Sequence, residues 1–263
     1  MLDLFAWMLL GLMVATTAVA AEPAPEAVQS LVPGGTLRAA LNFGNPVLAQ
    51  RDPATGEARG VTAELARELA RRLGAKLQIV AYEQANQVTD ALPRNEWDVA
   101  FLAIDPVRGA GILFTPPYVL IEGTYIVPPG STLQTVESVD SPGARVVVVR
   151  ASTYDLFLTR TLKHAELVRF DNGERAEAAL LGGDYQAMAG VKQVLTAAVA
   201  AHPGLRPIPG RFMAIQQAVA TPKGRDAGAG YLRAFVADVK ASGFVARALA
   251  ASGQPDAEVA PPE

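Results

Sequence analysis

The sequence predicts an α/β protein built from two lobes that are joined by two extended strands. Strand-like and helix-like patterns alternate along most of the 263 residues, which is typical of mostly parallel sheets flanked by helices. The alternation falls into two series, and extended segments with proline lie near residues 127–131 and 216–221. Two such crossings would form a hinge beside a cleft, an arrangement suited to closure around a small ligand.

Short apolar runs and amphipathic spacing define the elements of the first series. Leu65, Leu69 and Leu73 form one stripe of a predicted helix, and Gly74 follows as a typical helix end. Residues 99–104 are a continuous apolar run, as expected of a strand that is buried on both faces. The predicted strands span residues 37–41, 77–80, 97–104 and 118–127, and the predicted helices span residues 61–73 and 88–92.

The second series starts with consecutive valines at 146–149, which predict a fully buried parallel strand. Further strands are expected at 167–170, 185–189 and 213–220, and helices at 152–162, 174–181, 191–201, 231–240 and 244–251. We therefore expect one lobe to comprise 35–127 and 217–253, and the other to comprise 128–216. Residues 21–34 are expected to form a loose leader and residues 254–263 a disordered tail.

The composition of the chain excludes several classes of function. The net charge of −3 argues against a nucleic-acid partner, because phosphate backbones are bound by basic surfaces. The chain has no cysteine, which excludes disulfides, thiolate zinc sites and a cysteine nucleophile. No cofactor motif occurs in the sequence, so we expect no cofactor.

The N-terminal segment, residues 1–20, has the features of an export signal. Residues 4–19 are almost wholly apolar, and Ala18-Val19-Ala20 matches the small-x-small pattern of a signal-peptidase site. Cleavage after Ala20 would leave the mature protein in the periplasm. An uncleaved membrane anchor is the alternative, because no Lys or Arg precedes the apolar run.

Arg108 is the first candidate for a ligand contact. It follows the apolar strand and the sequence Asp105-Pro106, which is typical of a helix N-cap with proline at the first helical position. Open α/β sheets bind ligands at the carboxyl ends of their strands, where this guanidinium is expected to lie. The sequence therefore predicts a bidentate clamp for a ligand carboxylate. The alternative is a surface ion pair between Asp105 and Arg108.

Several motifs occur in the order that is typical of one known family. They are Gly60-Val61-x-x-Glu64-Leu65-Ala66, Leu92 followed by Trp97-Asp98, Arg108 followed by Phe114-Thr115-x-x-Tyr118, Ala151-Ser152-Thr153, and Gly243-Phe244. From about Gly35 to Gly253 the chain resembles the family 3 periplasmic solute-binding proteins, which serve polar-amino-acid ABC transporters. The resemblance implies the two-lobed type II periplasmic-binding-protein fold, a monomer, and delivery of the ligand to an inner-membrane ABC permease.

The resemblance also implies a ligand-binding site. In this family the arginine matching Arg108 holds the α-carboxylate of an amino acid, and hydroxyl residues matching Ser152 and Thr153 contact that carboxylate from the other lobe. A helix N-terminus favours an anion through its free N–H groups and the positive end of the helix dipole. An ordinary N-cap is the alternative role of Ser152, and the two roles are compatible.

The chain departs from the family at four positions. Ala103 stands where serine or threonine is usual, and Ala85 and Asn45 stand where aromatic residues are expected. Ala189 occupies the position that we assign to the aspartate that receives the α-ammonium of the ligand. Because a desolvated ammonium without a counter-charge is costly, these departures argue against an ordinary α-amino acid in the usual pose.

Two charged residues are candidates for further ligand contacts. Glu122 lies in a mostly apolar strand and would receive a ligand ammonium or hydroxyl if it faces the cleft. A solvent-facing edge position is the alternative for this carboxylate. Lys192 begins a predicted helix and would favour a second anionic group, and the alternative is a plain surface lysine.

Uncharged candidates lie near both crossings of the chain. Asn42 and Asn45 follow the first strand and are expected to hydrogen-bond the ligand, and Phe43 is expected to supply an apolar wall. One of Gln216 and Gln217, on the second crossing strand, should face the cleft, and Gln216 is taken as the candidate. We expect a small carboxylate-bearing ligand, either amino-acid-like or an organic acid.

Two other functions compete with transport. Cyclohexadienyl dehydratases resemble the same fold, and Glu122 or Glu83 could serve as a general acid. Against catalysis, His164 and His202 lie far apart in the sequence, and no nucleophile elbow, phosphate-binding glycine loop or metal-ligand cluster occurs, so we expect no enzyme. A sensor that presents its ligand-bound form to a membrane receptor needs the same hinge and cleft.

Overall fold

The structure, a computed structural model, describes residues 22–255 and 257–262, so the predicted signal segment at residues 1–20 lies outside the described part. Its α-helices are α1 (Pro25–Leu31), α2 (Val61–Arg72), α3 (Ala85–Asp90), α4 (Thr153–Thr161), α5 (Gly173–Leu181), α6 (Lys192–Ala201), α7 (Asp226–Ala241) and α8 (Phe244–Ala251). Its strands are β1 (Thr36–Asn42), β2 (Gln50–Arg51), β3 (Ala58–Arg59), β4 (Lys76–Tyr82), β5 (Val99–Ala103), β6 (Ile112–Val127), β7 (Arg145–Val149), β8 (Glu166–Phe170), β9 (Ala187–Val191), β10 (Arg206–Pro207), β11 (Met213–Pro222) and β12 (Glu258–Val259). Within the described ranges, no helix is long and apolar enough to cross a lipid bilayer.

The strands of both lobes belong to one continuous hydrogen-bonded path in the order β4-β1-β5-β11-β6-β9-β7-β8. At one end β1 pairs in parallel with β4 and β5, and at the other end β7 pairs in parallel with β8 and β9. The long strands β6 and β11 pair antiparallel with each other, and β6 changes partner from β11 to β9 at Gly123. This confirms the predicted α/β architecture of two mostly parallel sheets joined by two crossing strands.

The apolar patterns of the sequence mark the core correctly. Leu65 and Leu69, on the predicted helical stripe, are fully buried on α2, in a cluster that also includes residues of α7 and α8. Val146, Val147 and Val148 are fully buried on β7, as expected of a strand covered on both faces. Each lobe therefore has its own apolar core. These cores fix the positions of the strand ends that face the cleft.

The strand β6 is longer than predicted, because it begins at Ile112 and passes through Pro116-Pro117. Proline lacks an N–H donor and is tolerated in a sheet at irregular positions. Such an irregularity is present, since the pairing of β6 with β11 shifts register at Gln217 and Ala218, opposite Pro117. The bulge lets the crossing strand continue past two prolines.

A buried carboxylate ties three elements of the first lobe together. Asp98, which is fully buried, accepts hydrogen bonds from the backbone N and Nε of Arg38 at 3.0 and 2.9 Å, and from Nη1 of Arg225 at 2.8 Å. Burial raises the pKa of Asp98, but hydrogen bonds from both arginines outweigh burial, so the net pKa lies below 3.8. We call these three residues the Asp98 cluster.

Two terminal segments differ from the sequence-based expectation. The expected loose leader contains α1, whose Leu31 is fully buried and packs closely on Gly228 of α7. The expected disordered tail contains β12, which pairs with β6 so that Val259 lies opposite Val119. Short amphipathic segments of this kind gain their order from tertiary packing, which local sequence patterns do not report.

Candidate ligand-binding site

A cavity of about 170 Å³ lies between the two halves of the sheet. The carboxyl ends of β1, β5, β7 and β9 converge on it, together with the first turn of α4 and the hinge strand β11. The volume is well below the ~300–1,000 Å³ of pockets for drug-sized molecules, so the cavity suits a small ligand.

Arg108 spans the cavity from one lobe to the other. It belongs to a short 3₁₀ turn after β5, and only 6% of its surface is exposed. Its Nη1 donates to Thr153 Oγ1 at 2.8 Å and to the carbonyl of Ala103 at 3.3 Å, and its Nη2 donates to the carbonyl of Ala151 at 3.2 Å. Burial lowers the pKa of Arg108 to about 10, although Asp105 acts in the opposite direction.

Arg108 forms no ion pair with a carboxylate anywhere in the described chain. The alternative pairing with Asp105 is not formed, because Asp105 accepts from Val107 N at 2.9 Å and from Arg160 Nη2 at 2.9 Å. Asp105 therefore acts on Arg108 only through space, and the hydrogen-bond partners of the buried guanidinium are neutral oxygens. The cavity therefore offers a site for an anion.

The first turn of α4 has the N-cap that the sequence predicts. Ser152 caps the helix by accepting from Asp155 N at 3.0 Å, and the Asp155 carboxylate accepts from Ala151 N at 2.8 Å. This reciprocal capping holds Ala151 in the left-handed region, with φ of 54°. The turn directs the Ala151 carbonyl and the Thr153 hydroxyl to Arg108.

The residues predicted after the first strand divide between two roles. Asn42 and Asn45 line the cavity, and their side-chain oxygens accept from Gly44 N at 3.1 Å and Val47 N at 3.3 Å, which shapes the loop. Phe43 is not part of the lining, because it packs on the core of the first lobe with the Arg51 guanidinium 4.1 Å above its ring.

The two charged candidates lie outside the cavity. Glu122 accepts from Lys192 Nζ at 2.5 Å and from Arg211 Nη1 at 3.3 Å, and neither Glu122 nor Lys192 lines the cavity. These three side chains are partly exposed, and none of them lines the cavity. The expectation that Glu122 and Lys192 contact the ligand is wrong, because they satisfy each other.

Two predictions about strand faces are each wrong by one residue. Gln217 lines the cavity and is 4% exposed, whereas Gln216 points to solvent. On β9, Met188, Gly190 and Val191 line the cavity, whereas Ala189 is buried in the core of the second lobe. Because side chains alternate along a strand, a shift of one residue exchanges the two faces. The residues at the end of β9 that border the cavity are Gly190 and Val191.

Sequence reasoning missed Arg150 and Tyr154 at the cavity and did not anticipate how Gln84 bridges the lobes. Arg150 lines the cavity directly after β7, and its Nε lies 3.5 Å from Asp171 Oδ1. Gln84 Nε2 donates to the carbonyl of Asp171 across the cleft. The available signal was positional, since Arg150 and Tyr154 follow the end of a buried parallel strand, as Arg108 does.

Three contacts join the two lobes across the cleft. Arg160 of α4 pairs with Asp105 at 2.9 Å, Gln84 reaches Asp171, and Arg108 reaches Thr153. Among the described residues, no group of three or more His, Asp or Glu side chains is placed to hold a metal ion. The cavity is thus bordered by both lobes and is lined by the buried guanidinium of Arg108.

Solved structures of similar fold include a solute receptor and an amino acid-binding protein. The solute receptor for L-cysteine of Neisseria gonorrhoeae gives a TM-score of 0.74 at 23% identity, over 87% of this chain and 94% of that one. A mutant of ArgBP from T. maritima gives a TM-score of 0.73 at 24% identity, over 86% of this chain and 99% of that one. The ancestral amino acid-binding protein AncCDT-1, a precursor of cyclohexadienyl dehydratase, gives a TM-score of 0.70 at 21% identity, over 85% of this chain and 98% of that one. At these identities the likeness shows the fold alone.

The sequence itself identifies the family. No curated protein matches the chain. The family model of bacterial extracellular solute-binding proteins, family 3, matches residues 41–251, which include both halves of the sheet and every residue of the site described above. The chain belongs to the bacterial extracellular solute-binding proteins, family 3.

Proposed function

We propose that this protein captures a small carboxylate-bearing ligand in the cleft between its lobes and delivers it to an ABC permease. The observation that carries the proposal is Arg108, a buried guanidinium that has neutral oxygens as its hydrogen-bond partners and no carboxylate counter-ion in the described chain. Anion binding restores the missing counter-charge, and a carboxylate fits the forked guanidinium in a bidentate geometry.

The position of Arg108 couples ligand binding to closure. Its guanidinium comes from the first lobe, while Thr153 and the Ala151 carbonyl that meet it come from the second. The first turn of α4 adds free N–H groups and the positive end of its dipole next to that point. A carboxylate held by both lobes stabilises the closed form, which is the form that a membrane partner would recognise.

A thermal-shift screen of residues 21–263 tests the ligand half of the proposal. The panel pairs carboxylates with their neutral amides, for example 4-methylpentanoate with 4-methylpentanamide. Binding to the native state alone adds about 4 kcal/mol of stability at a thousandfold excess over Kd, so a specific carboxylate should raise the Tm by several degrees. Equal shifts with the amides, or no shift with any carboxylate, would contradict the proposal.

Delivery and location need measurements in cells. We expect the mature protein in the osmotic-shock fraction, and we expect deletion of its gene to abolish uptake of the radiolabelled ligand. Unchanged uptake in the deletion strain, with loss of a transcriptional response to the ligand, would indicate a receptor function instead. A size-exclusion profile of the loaded protein checks the expected monomer.

Catalysis is the weaker candidate on the geometry of the site. Glu122 lies outside the cavity, and Glu83 at its rim has a side chain that is 65% exposed and paired with Arg51 at 2.6 Å. A general acid is expected to be desolvated and within reach of the reacting atoms. Incubation with prephenate should therefore yield no aromatic product above the protein-free control.

A further inference from the structure

We propose that the ligand is a carboxylate with an apolar body and no α-ammonium group, so that the site selects organic acids against α-amino acids. The inference rests on the proposed function, because it takes Arg108 as the carboxylate clamp. It concerns what the rest of the cavity can and cannot accept.

The charged residues of the lining do not match a ligand cation. Glu83 is the one acidic residue of the described chain that lines the cavity. Its carboxylate is paired with Arg51 at 2.6 Å, and its side chain is 65% exposed at the rim. The other charged residues of the lining are Arg108 and Arg150, which are both basic. Because Glu83 is paired and exposed, the interior of the cavity offers no negative charge to a ligand cation.

The neutral acceptors that contact Arg108 are already engaged by it. An α-ammonium lies one carbon from its carboxylate, so it must find acceptors next to Arg108. The oxygens that contact Arg108 are the carbonyls of Ala103 and Ala151 and the Thr153 hydroxyl, and each already accepts a hydrogen bond from it. Gln217, which pairs with Ala103 in the sheet and lines the cavity, adds a neutral amide but no negative charge. An ammonium beside these acceptors would also face the guanidinium charge.

An apolar wall borders the cavity at the end of β9. Gly190 and Val191 both line the cavity there, and a Cβ built on Gly190 would lie 3.0 Å from Cδ2 of Leu195. Leu195, which is 1% exposed, thus fills the space into which a polar side chain from that strand would extend. Phe101, Ile215 and Met188 continue the apolar lining, and each is at most 3% exposed.

These surroundings penalise an ammonium and favour a hydrocarbon body. Transfer of an unpaired cation into such a lining is strongly unfavourable, whereas each buried methylene contributes to binding. Among ligands of equal size, removal of the α-ammonium should therefore increase the affinity rather than decrease it.

The test compares matched pairs that differ in the α-substituent alone. Isothermal titration calorimetry of the full mature chain would measure L-leucine against 4-methylpentanoate and 4-methyl-2-oxopentanoate, and L-phenylalanine against 3-phenylpropanoate. We expect the acid without the ammonium to bind at least tenfold more tightly in the pair that fits the cavity best. An amino acid that binds as tightly as its partner overturns the inference while leaving the carboxylate function in place.

Two further outcomes are distinguishable. If neither member of any pair binds, nor any other carboxylate, the proposed function fails and the inference fails with it. If glutarate binds more tightly than every monocarboxylate, the inference that the ligand has an apolar body is wrong. Arg150 would then contact the second carboxylate.

A reversal of the preference provides an independent check. The double variant Gly190→Asp with Leu195→Ala places a carboxylate on the cavity wall and removes the side chain that would clash with it. We expect this variant to shift the preference at least tenfold toward L-leucine, relative to a control with Gly190→Asn and Leu195→Ala, which has the same shape without the charge. Should both double variants unfold, the matched pairs with the unmodified chain decide the question.

Discussion

Replacement of Arg108 by methionine separates a ligand clamp from a structural bridge. Methionine keeps an unbranched side chain of similar length but removes the charge and all donors. If Arg108 exists to hold the closed lobes together, the ligand-free protein should lose substantial stability. If it exists to bind an anion, the ligand-free protein should tolerate the change and binding should fail.

The structure gives the magnitude of the effect on the ligand-free protein. Burial lowers the pKa of Arg108 from 12.5 to about 10, and at ~1.4 kcal/mol for each pKa unit the charge costs about 3.5 kcal/mol in the folded state. The three hydrogen bonds that it donates come from a charged group and contribute about 1.5–3 kcal/mol each, with the bonds of 3.2 and 3.3 Å at the low end of that range. The hydrogen bonds exceed the cost of the charge only modestly, so Arg108→Met should lower the free energy of unfolding of the ligand-free protein by no more than about 3 kcal/mol.

Binding should respond much more strongly. Truncation of one partner of a buried, charge-assisted contact costs about 2–5 kcal/mol, which is a loss of affinity from about 30-fold to several thousandfold. Urea unfolding followed by circular dichroism measures the stability, and calorimetry with 4-methylpentanoate, or the tightest carboxylate of the panel, measures the affinity. A variant that binds within threefold of the unmodified protein would refute the clamp.

Arg150→Met is the matched control for this experiment. Arg150 also lines the cavity and carries the same charge, but its side chain is 56% exposed and lies near Asp171. Its removal should change the affinity for a monocarboxylate less than threefold, because solvent screens charges at the rim. A large loss with both variants would indicate that the net charge of the cleft, rather than the buried clamp, controls binding.

Three further changes test closure and stability. Arg160→Met removes the ion pair with Asp105, which joins the two lobes. Because the Arg160 side chain is 40% exposed, we expect the closed form to lose about 1 kcal/mol of stability. Ligand dissociation in stopped flow should therefore be about fivefold faster. Asp98→Asn should lower the free energy of unfolding by about 3–5 kcal/mol at pH 7, because two arginines lose their buried partner. Since the folded-state pKa of Asp98 lies below 3.8, its contribution is present above that pH and should decline as the pH falls further. Ending the chain after Gln254 removes β12 and should lower the Tm by several degrees in a thermal scan.

A specific result would contradict each of these predictions. Arg175→Met, which breaks a pair with Asp171 inside the second lobe at 3.3 Å, should leave the dissociation rate unchanged, and equal effects from Arg160→Met and Arg175→Met would argue against a closure role. A loss below 1 kcal/mol for Asp98→Asn would mean that the Asp98 cluster is not a structural centre. An unchanged Tm after truncation would mean that β12 contributes nothing to the first lobe.

The part of the fold that could be predicted from the sequence is the part that local patterns encode. The valines of β7 and the leucine stripe of α2 specify burial by their spacing alone, so the alternation of strands and helices followed directly. Arg108 is predicted from a local rule, because open α/β sheets bind ligands at the carboxyl ends of their strands, whereas Thr153 is predicted from the resemblance to the family. The structure places their side chains 2.8 Å apart, although 45 residues separate them.

The errors arise where the decisive partner is remote in sequence. Glu122 looked unpaired in its apolar strand, but its partners Lys192 and Arg211 come from 70 and 89 residues further along the chain. The exchange of Gln216 for Gln217 lies next to the bulge opposite β6, and a bulge changes which residues face the cavity without leaving a mark in the periodicity.

The ligand class depends on this second kind of information. A sequence lists which charges a chain contains, but selectivity depends on which of them stay unpaired once the chain has folded. Here the acidic candidates are neutralised by remote bases outside the cavity or at its rim, while Arg108 remains buried and without a carboxylate among the described residues. A site with one buried cation and an apolar wall gains most from a ligand that brings a single negative charge and no positive one. For this reason the comparison of an amino acid with its deaminated counterpart discriminates more sharply than any comparison among amino acids.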